Sequence, residues 1–395
     1  MTETAATGQK TKDITISPKV KGNGASKSLD QGDPVIFFGD SGKVTPLYHN
    51  DHNQMDGFTE PRQKLEGFEP QYRDFVDYIL RITHKIWEEK GIGVIYETYH
   101  NDCVMHVGTQ HLAGLNTVIS GTMQQLHAFP DRRLIAENVI WSEDPDATYF
   151  SSHRIHSTAT NLGDSSFGPA TGKPISFRTV ADCKVYKNKI VEEWLVRDNL
   201  HIVRQLGMDP NIVARKMAKS TPALGSYGLS ENRNGQFIPE IKISGSSVFA
   251  IGEFMQEMMS KVWGARYFNC LTDYYSENAV LHTVCNQDLT GSHAIKGWLV
   301  SFFASFPNAR VQVERVTCNK VSGDKDWDVA VRWRVLGLHE GIGFFGSPSH
   351  GQAEILGVSQ YKVRNGNILE EWLTFDGLDV LRQIEGHRLS MEQVD

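Results

Sequence analysis

Two aspartates, Asp198 and Asp376, each stand four residues after a tryptophan, Trp194 and Trp372, inside closely similar runs of sequence. In an extended strand side chains alternate, so Glu192, Trp194, Val196 and Asp198 share one face, as do Glu370, Trp372, Thr374 and Asp376. If that face lines a cavity, each carboxyl sits beside an indole in partly dry surroundings. Desolvation then raises its pKa and suits it to proton transfer near neutral pH. The competing role is structural, since an Asp at a strand end commonly caps the helix that follows.

His106 and His282 form a second matched pair, each in a short apolar segment, and are read as proton-shuttling partners of the aspartates. Tyr99 and Tyr275 recur at matched positions and, with Trp194 and Trp372, are expected to contact a substrate. Arg154 matches Arg332; turned inward, either would hold a carboxylate or enolate oxygen bidentately, and turned outward it would solvate the sheet. Of the recurring carboxylate pairs, Glu192 and Glu370 share the Asp and Trp face, so Glu193 and Glu371 are expected to face away from the site. His111, His153, His156 and Arg178 add polarity to the first copy. The His153–His156 spacing places the two rings on opposite faces of a strand, so no metal site is assigned.

These residues belong to an internal repeat. The run starting at Ile190 returns from Ile368, with nine of 17 positions identical at an offset of 178. Upstream, Phe129-Pro130-Asp131 matches Phe306-Pro307-Asn308, and Lys85-Ile86-Trp87 matches Lys261-Val262-Trp263. The offset drifts by only two over more than 100 residues, so whole domains are duplicated rather than small solenoid units. Four parts follow: a disordered tail and irregular lead-in over 1–70, a first domain over 71–210, a linker over 211–246, and a second domain over 247–386. Within each copy, helical spacing (Phe75, Val76, Ile79, Ile82, Ile86) gives way to a short extended segment. A second helix ending just before a proline and then alternating strands follow. Lys187-Asn188 and Asn365-Gly366 are hairpin turns between the last strands. Helices first and an antiparallel sheet afterwards predict an α+β fold rather than βαβ.

Composition narrows the function. The 395 residues carry a net charge of −7, which disfavours nucleic-acid partners. No stretch is long and apolar enough to span a membrane, and the polar N-terminus lacks the apolar core of a secretory signal. Five scattered cysteines without a CxxC suggest a reducing, cytoplasmic setting. Gly341-Ile-Gly343-Phe-Phe-Gly346 fits GxGxxG literally, but the Ser-Pro-Ser-His-Gly that follows cannot open the required helix, so nucleotide binding is set aside.

With these residues in hand, each copy resembles a SnoaL-like domain of the NTF2-like superfamily, of the polyketide cyclase or ester cyclase type. The carriers are the Phe-Pro-Asp after the second helix, the Gly172-Lys173-Pro174 loop and the closing Asn188-Lys189-Ile190-Val191-Glu192-Glu193-Trp194 with Asp198. The resemblance implies two cones, each a curved, mostly antiparallel sheet wrapped on helices. It also implies cofactor-independent cyclase, isomerase, lyase or hydrolase chemistry on a small carbonyl compound. In this reading the aspartate serves as acid/base, the two repeats pack sheet to sheet, and the chain forms a homodimer. The alternative is a non-catalytic binding or assembly protein built from an intrachain pseudo-dimer. Because the second copy replaces Gly172-Lys173-Pro174 with His350-Gly351-Gln352, its activity is the more doubtful of the two.

Overall fold

The computed structural model describes residues 35–44, 62–220 and 249–393. The tail expected to be disordered, residues 45–61 of the lead-in and residues 221–246 of the expected linker lie outside the described residues. Strand β1 (Val35–Gly39) comes first. The first repeat then runs α1 (Phe75–Trp87), α2 (Gly93–Thr98), β2 (Tyr99–Val107), β3 (Gln110–Ala113) and α3 (Leu115–Ala128). It continues through β4 (Arg133–Asp144), β5 (Thr148–Thr160), β6 (Pro174–Tyr186) and β7 (Lys189–Arg197) to α4 (Asn199–Gln205) and α5 (Pro210–Ser220). The second repeat opens with α6 (Ile251–Met258), which a π turn extends through Gly264, then β8 (Tyr275–Thr283) and β9 (Gln287–Thr290). It closes with α7 (Ser292–Ser305), β10 (Arg310–Ser322), β11 (Asp326–Leu338), β12 (Gln352–Arg364), β13 (Asn367–Phe375) and α8 (Gly377–Glu392).

The two sheets have matching orders, β3-β2-β7-β6-β5-β4 and β9-β8-β13-β12-β11-β10. Within these six-strand orders pairing is antiparallel except where β2 meets β7 and β8 meets β13. Each repeat is thus an α+β, NTF2-like cone, its sheet curving around the helices that precede it. The hairpin joining β12 to β13 turns on Asn365 and Gly366, both with positive φ, the pair a type I′ turn requires.

Two stretches depart from the sequence expectation. Part of the lead-in is ordered: β1 adds a parallel edge strand to the second sheet beside β10, and Phe68 packs edge-on against Tyr78 and Tyr149 in the first core. The expected linker begins as helix α5, with Pro210 at its first position and Asp209 accepting from the Asn211 and Ile212 amides. Proline in the first turn sacrifices no helix bond, and the Asp satisfies free amides there.

Both faces of each sheet are covered. In the first repeat α1 lays Phe75, Tyr78, Ile79, Ile82 and Ile86 against the concave face, beside Trp141 and Tyr149. The convex faces of the two sheets meet, with Phe150, Val180, Trp194 and Val196 packing on Leu356 and Val358. Polar bonds cross the seam: Asn319 donates to the Trp141 carbonyl at 2.7 Å and accepts from its amide at 3.0 Å, and Gln360 donates to the Ser152 carbonyl at 3.0 Å. Among the described residues no helix is long and apolar enough to cross a membrane.

Candidate active site

The concave face of the first sheet, with α1 and α3, encloses a cavity of about 210 Å³. Three rows of inward side chains cross its floor. Glu193 faces Cys183 across β6, Leu195 faces Ala181 and then His153, and Arg197 faces Thr179 and then Ile155. Successive rows are about 7 Å apart, because same-face residues recur every second position. Ile79, Ile82 and Ile86 of α1 form an apolar wall.

At one end, the Tyr99 hydroxyl donates to Glu193 Oε2 at 3.0 Å. Burial pushes the Glu193 carboxyl up to about 7, against the opposing pull of the Tyr99 hydrogen bond and the Arg197 charge. Glu193 therefore holds both protonation states in useful amounts at neutral pH. His153 stands one row away; burial alone pushes its imidazole down to about 3, so it is neutral. At the other end Arg132 donates to Ser157 Oγ at 3.1 Å and stacks on Trp87 and Phe177. His153 Nε2, Thr179 Oγ1 and Arg197 Nε are buried without a hydrogen-bond partner among the described residues.

The equivalent space in the second repeat is packed with rings. Where the first repeat has Gly121, Gln125, Ile155 and Arg197, the second has Trp298, Phe302, Trp333 and Phe375. Phe302 lies 5.6 Å from Phe375, and Trp333 lies 5.0 Å from Trp263, centroid to centroid. Thr179 becomes Gly357, whose missing Cβ would stand 2.2 Å from a Trp333 ring atom. The Tyr275–Glu371 bond survives at 2.5 Å, sealed in this aromatic core.

The placement of the sequence-derived candidates corrects the reading of the faces. Glu192, Trp194 and Asp198 do share a face, but it is the convex one, covered by the second repeat. Asp198 caps α4 through the His201 amide at 3.1 Å and also accepts from the Cys285 amide across the seam. Asp376 caps α8 through the Leu378 and Asp379 amides and accepts from Asn199 of the first repeat. Burial raises both carboxyls, Asp198 to about 6 and Asp376 to about 7, with the Asp379 charge adding to the second. These are dry carboxyls, as expected, but outside the cavity.

The other pairs follow the same face. His106 stacks on Trp194 with centroids 5.0 Å apart and bonds Glu192 at 2.8 Å. His282 stacks likewise on Trp372, with Asp288 at 2.7 Å and Glu370 at 3.8 Å. Arg154 pairs with Glu137 and lies 3.7 Å over Trp372; Arg332 pairs with Glu314 and Asp182 and lies 3.6 Å over Trp194. Only Tyr99 of the expected set lines the cavity, and Tyr275 occupies its filled counterpart.

Glu193, Arg197, Arg132 and Thr179 are the cavity residues that strand alternation alone does not select. Glu193 keeps its counterpart in Glu371, and the signal for the others is divergence between copies: Arg132, Thr179 and Arg197, like His153, are replaced by Ala309, Gly357, Phe375 and Val331. A polar set that turns apolar in a duplicate marks the copy that keeps an open interior. Among the described residues no three His, Cys, Asp or Glu side chains converge as metal ligands would.

No curated protein matches the chain. Among solved structures it is similar to a protein from Jannaschia Sp. CCS1 assigned as a SnoaL-like polyketide cyclase, at 21% identity and TM-score 0.31, over 36% of this chain and 98% of that one. It is similar also to wild-type IdmH from Streptomyces antibioticus, at 19% identity and TM-score 0.30, over 34% and 99%. TsrD from Streptomyces laurentii matches at 15% identity and TM-score 0.30, over 33% and 94%. A family model describing SnoaL-like polyketide cyclases matches twice, over residues 78–206 and 253–384, and the chain therefore belongs to that family as a tandem pair of its domains.

Proposed function

We propose that the first repeat is a cofactor-independent acid/base enzyme of cyclase or isomerase type, acting on a small carbonyl compound, and that the second repeat is its filled structural partner. The observation that carries this reading is the Glu193–Tyr99 pair at 3.0 Å in an apolar cavity, with the carboxyl pushed to about 7. Ionised Glu193 takes a proton from carbon beside the carbonyl, and the electron pair moves onto the carbonyl oxygen. Neutral His153, one row from Glu193 and with its Nε2 unpaired among the described residues, supplies a donor for that oxygen. If the carbanion then attacks a second carbonyl, a ring closes and the proton held by Glu193 passes to the new alkoxide. If the proton returns to another carbon, the product is an isomer. Neither course consumes an oxidant, reductant or water.

The test is deuterium wash-in beside the carbonyl of a panel of small aryl ketones, followed by NMR in heavy water. Wild type is expected to exchange these positions, and Glu193→Gln to lose about 10²–10⁴-fold in rate. Saturable ketone binding without exchange in wild type would instead favour a binding protein.

A further inference from the structure

Resting on that reading of the cavity, we infer that the ligand carries a carboxylate, held by Arg132 and Arg197 at the end opposite Glu193. Arg132 is 4% exposed, and its Nε and Nη1 have no hydrogen-bond partner among the described residues. Among the described residues its guanidinium makes a single hydrogen bond, to the neutral hydroxyl of Ser157, and its flat faces meet Trp87 and Phe177. Arg197 lines the same cavity with its Nε unpaired, and Thr179 Oγ1 stands unpaired in the facing position on β6. Burial, and then the Arg197 charge, hold the Arg132 guanidinium well below the usual arginine range. Two cations in one dry pocket repel each other, and buried charge is ordinarily paired. An anion between them would satisfy the free N–H groups and offset both penalties, and a planar carboxylate matches the guanidinium fork.

The sheet register also sets the ligand's shape. Glu193 and Arg197 lie two same-face rows apart, about 13 Å between Cα atoms in an extended strand. Isoleucines of α1 flank the space between. The fitting molecule is a keto acid with an apolar body, its reactive carbonyl near Glu193 and its carboxylate toward the arginines.

Isothermal titration of the full chain with benzoate, 2-naphthoate and 4-biphenylcarboxylate, each against its neutral amide at about pH 8, tests this, since all three acids are ionised there. Wild type is expected to bind at least one acid about tenfold or more tightly than its amide. Arg132→Met is expected to erase that preference. Arg197→Met, at a partly exposed position, supplies the same test should the first variant fail to fold. Glu193→Gln is expected to keep the preference while losing ketone exchange. No acid bound better than its amide in wild type, or a preference unchanged in the arginine variants, overturns the anion site. Exchange that survives in Glu193→Gln overturns the catalytic reading and leaves the anion site standing.

Discussion

The guanidinium of Arg332, in the second repeat, lies 3.6 Å over the indole of Trp194, in the first. The duplication repeats the contact in the opposite sense, Arg154 over Trp372 at 3.7 Å, as a pseudo-twofold seam requires. Arg332 also reaches the buried Asp182 at 3.3 Å, whereas the Arg154 partner, Glu137, keeps 28% of its side chain exposed. Arg332→Met strands a buried carboxylate and is expected to cost about 3–5 kcal/mol in urea unfolding near neutral pH. Arg154→Met is expected to cost clearly less. Equal losses would mean that stacking, not the Asp182 charge, holds the seam.

The acid/base role of Glu193 sets a pH profile. Exchange should rise with pH through about 7 as the carboxyl ionises. The Tyr99 hydrogen bond favours the ionised form, so Tyr99→Phe should move this limb to higher pH besides slowing the reaction. A rate loss with the limb unmoved would reduce Tyr99 to a packing residue.

Asp198 and Asp376 predict a dependence of stability on pH rather than of rate. Their folded pKa values, about 6 and about 7, stand above the ordinary 3.8, so the native chain binds more protons than the unfolded one in between. Their stabilisation is complete below about pH 4 and is lost as pH rises through about 6–7. Asp376→Asn should retain the helix cap, keep ketone exchange and flatten this decline, which amounts to a few kcal/mol on the order of 1.4 per pKa unit. Thermal melts from acid to alkaline pH, with exchange rates alongside, decide it; abolished exchange would return the chemistry to the aspartates.

Gly121 separates cavity volume from stability. A Cβ built there meets nothing within 4 Å, and the position lies mid-helix in α3 at the cavity. Gly121→Ala should therefore stabilise the fold by about 0.5–1 kcal/mol. Gly121→Trp copies Trp298 and should block carboxylate binding and exchange without unfolding the chain. Undiminished binding in that variant would put the ligand elsewhere.

The duplicated α+β architecture was legible because self-similarity and hairpin turns need no tertiary information. Which face of β7 lines the cone was not. Alternation groups Trp194 with Asp198 and Leu195 with Arg197 correctly, yet both groups are apolar enough for an interior. A convex face buried against a partner sheet looks, in one strand, like a cavity wall. The choice between Glu192 and Glu193 hung on that ambiguity. Strand β1 was hidden for a related reason: Val-Ile-Phe-Phe-Gly does not alternate, and only its partner β10 gives it a role. Helix α5 left local clues in Asp209 and Pro210, outweighed by the glycines further along.

The ring-filled second cone has a consequence for stoichiometry. A pair of identical subunits would present two equivalent vacancies, open to half-of-sites behaviour or sigmoidal saturation. Of the two cone interiors among the described residues only the first is open, so titrations should end at a single molar equivalent per polypeptide and follow a plain hyperbola.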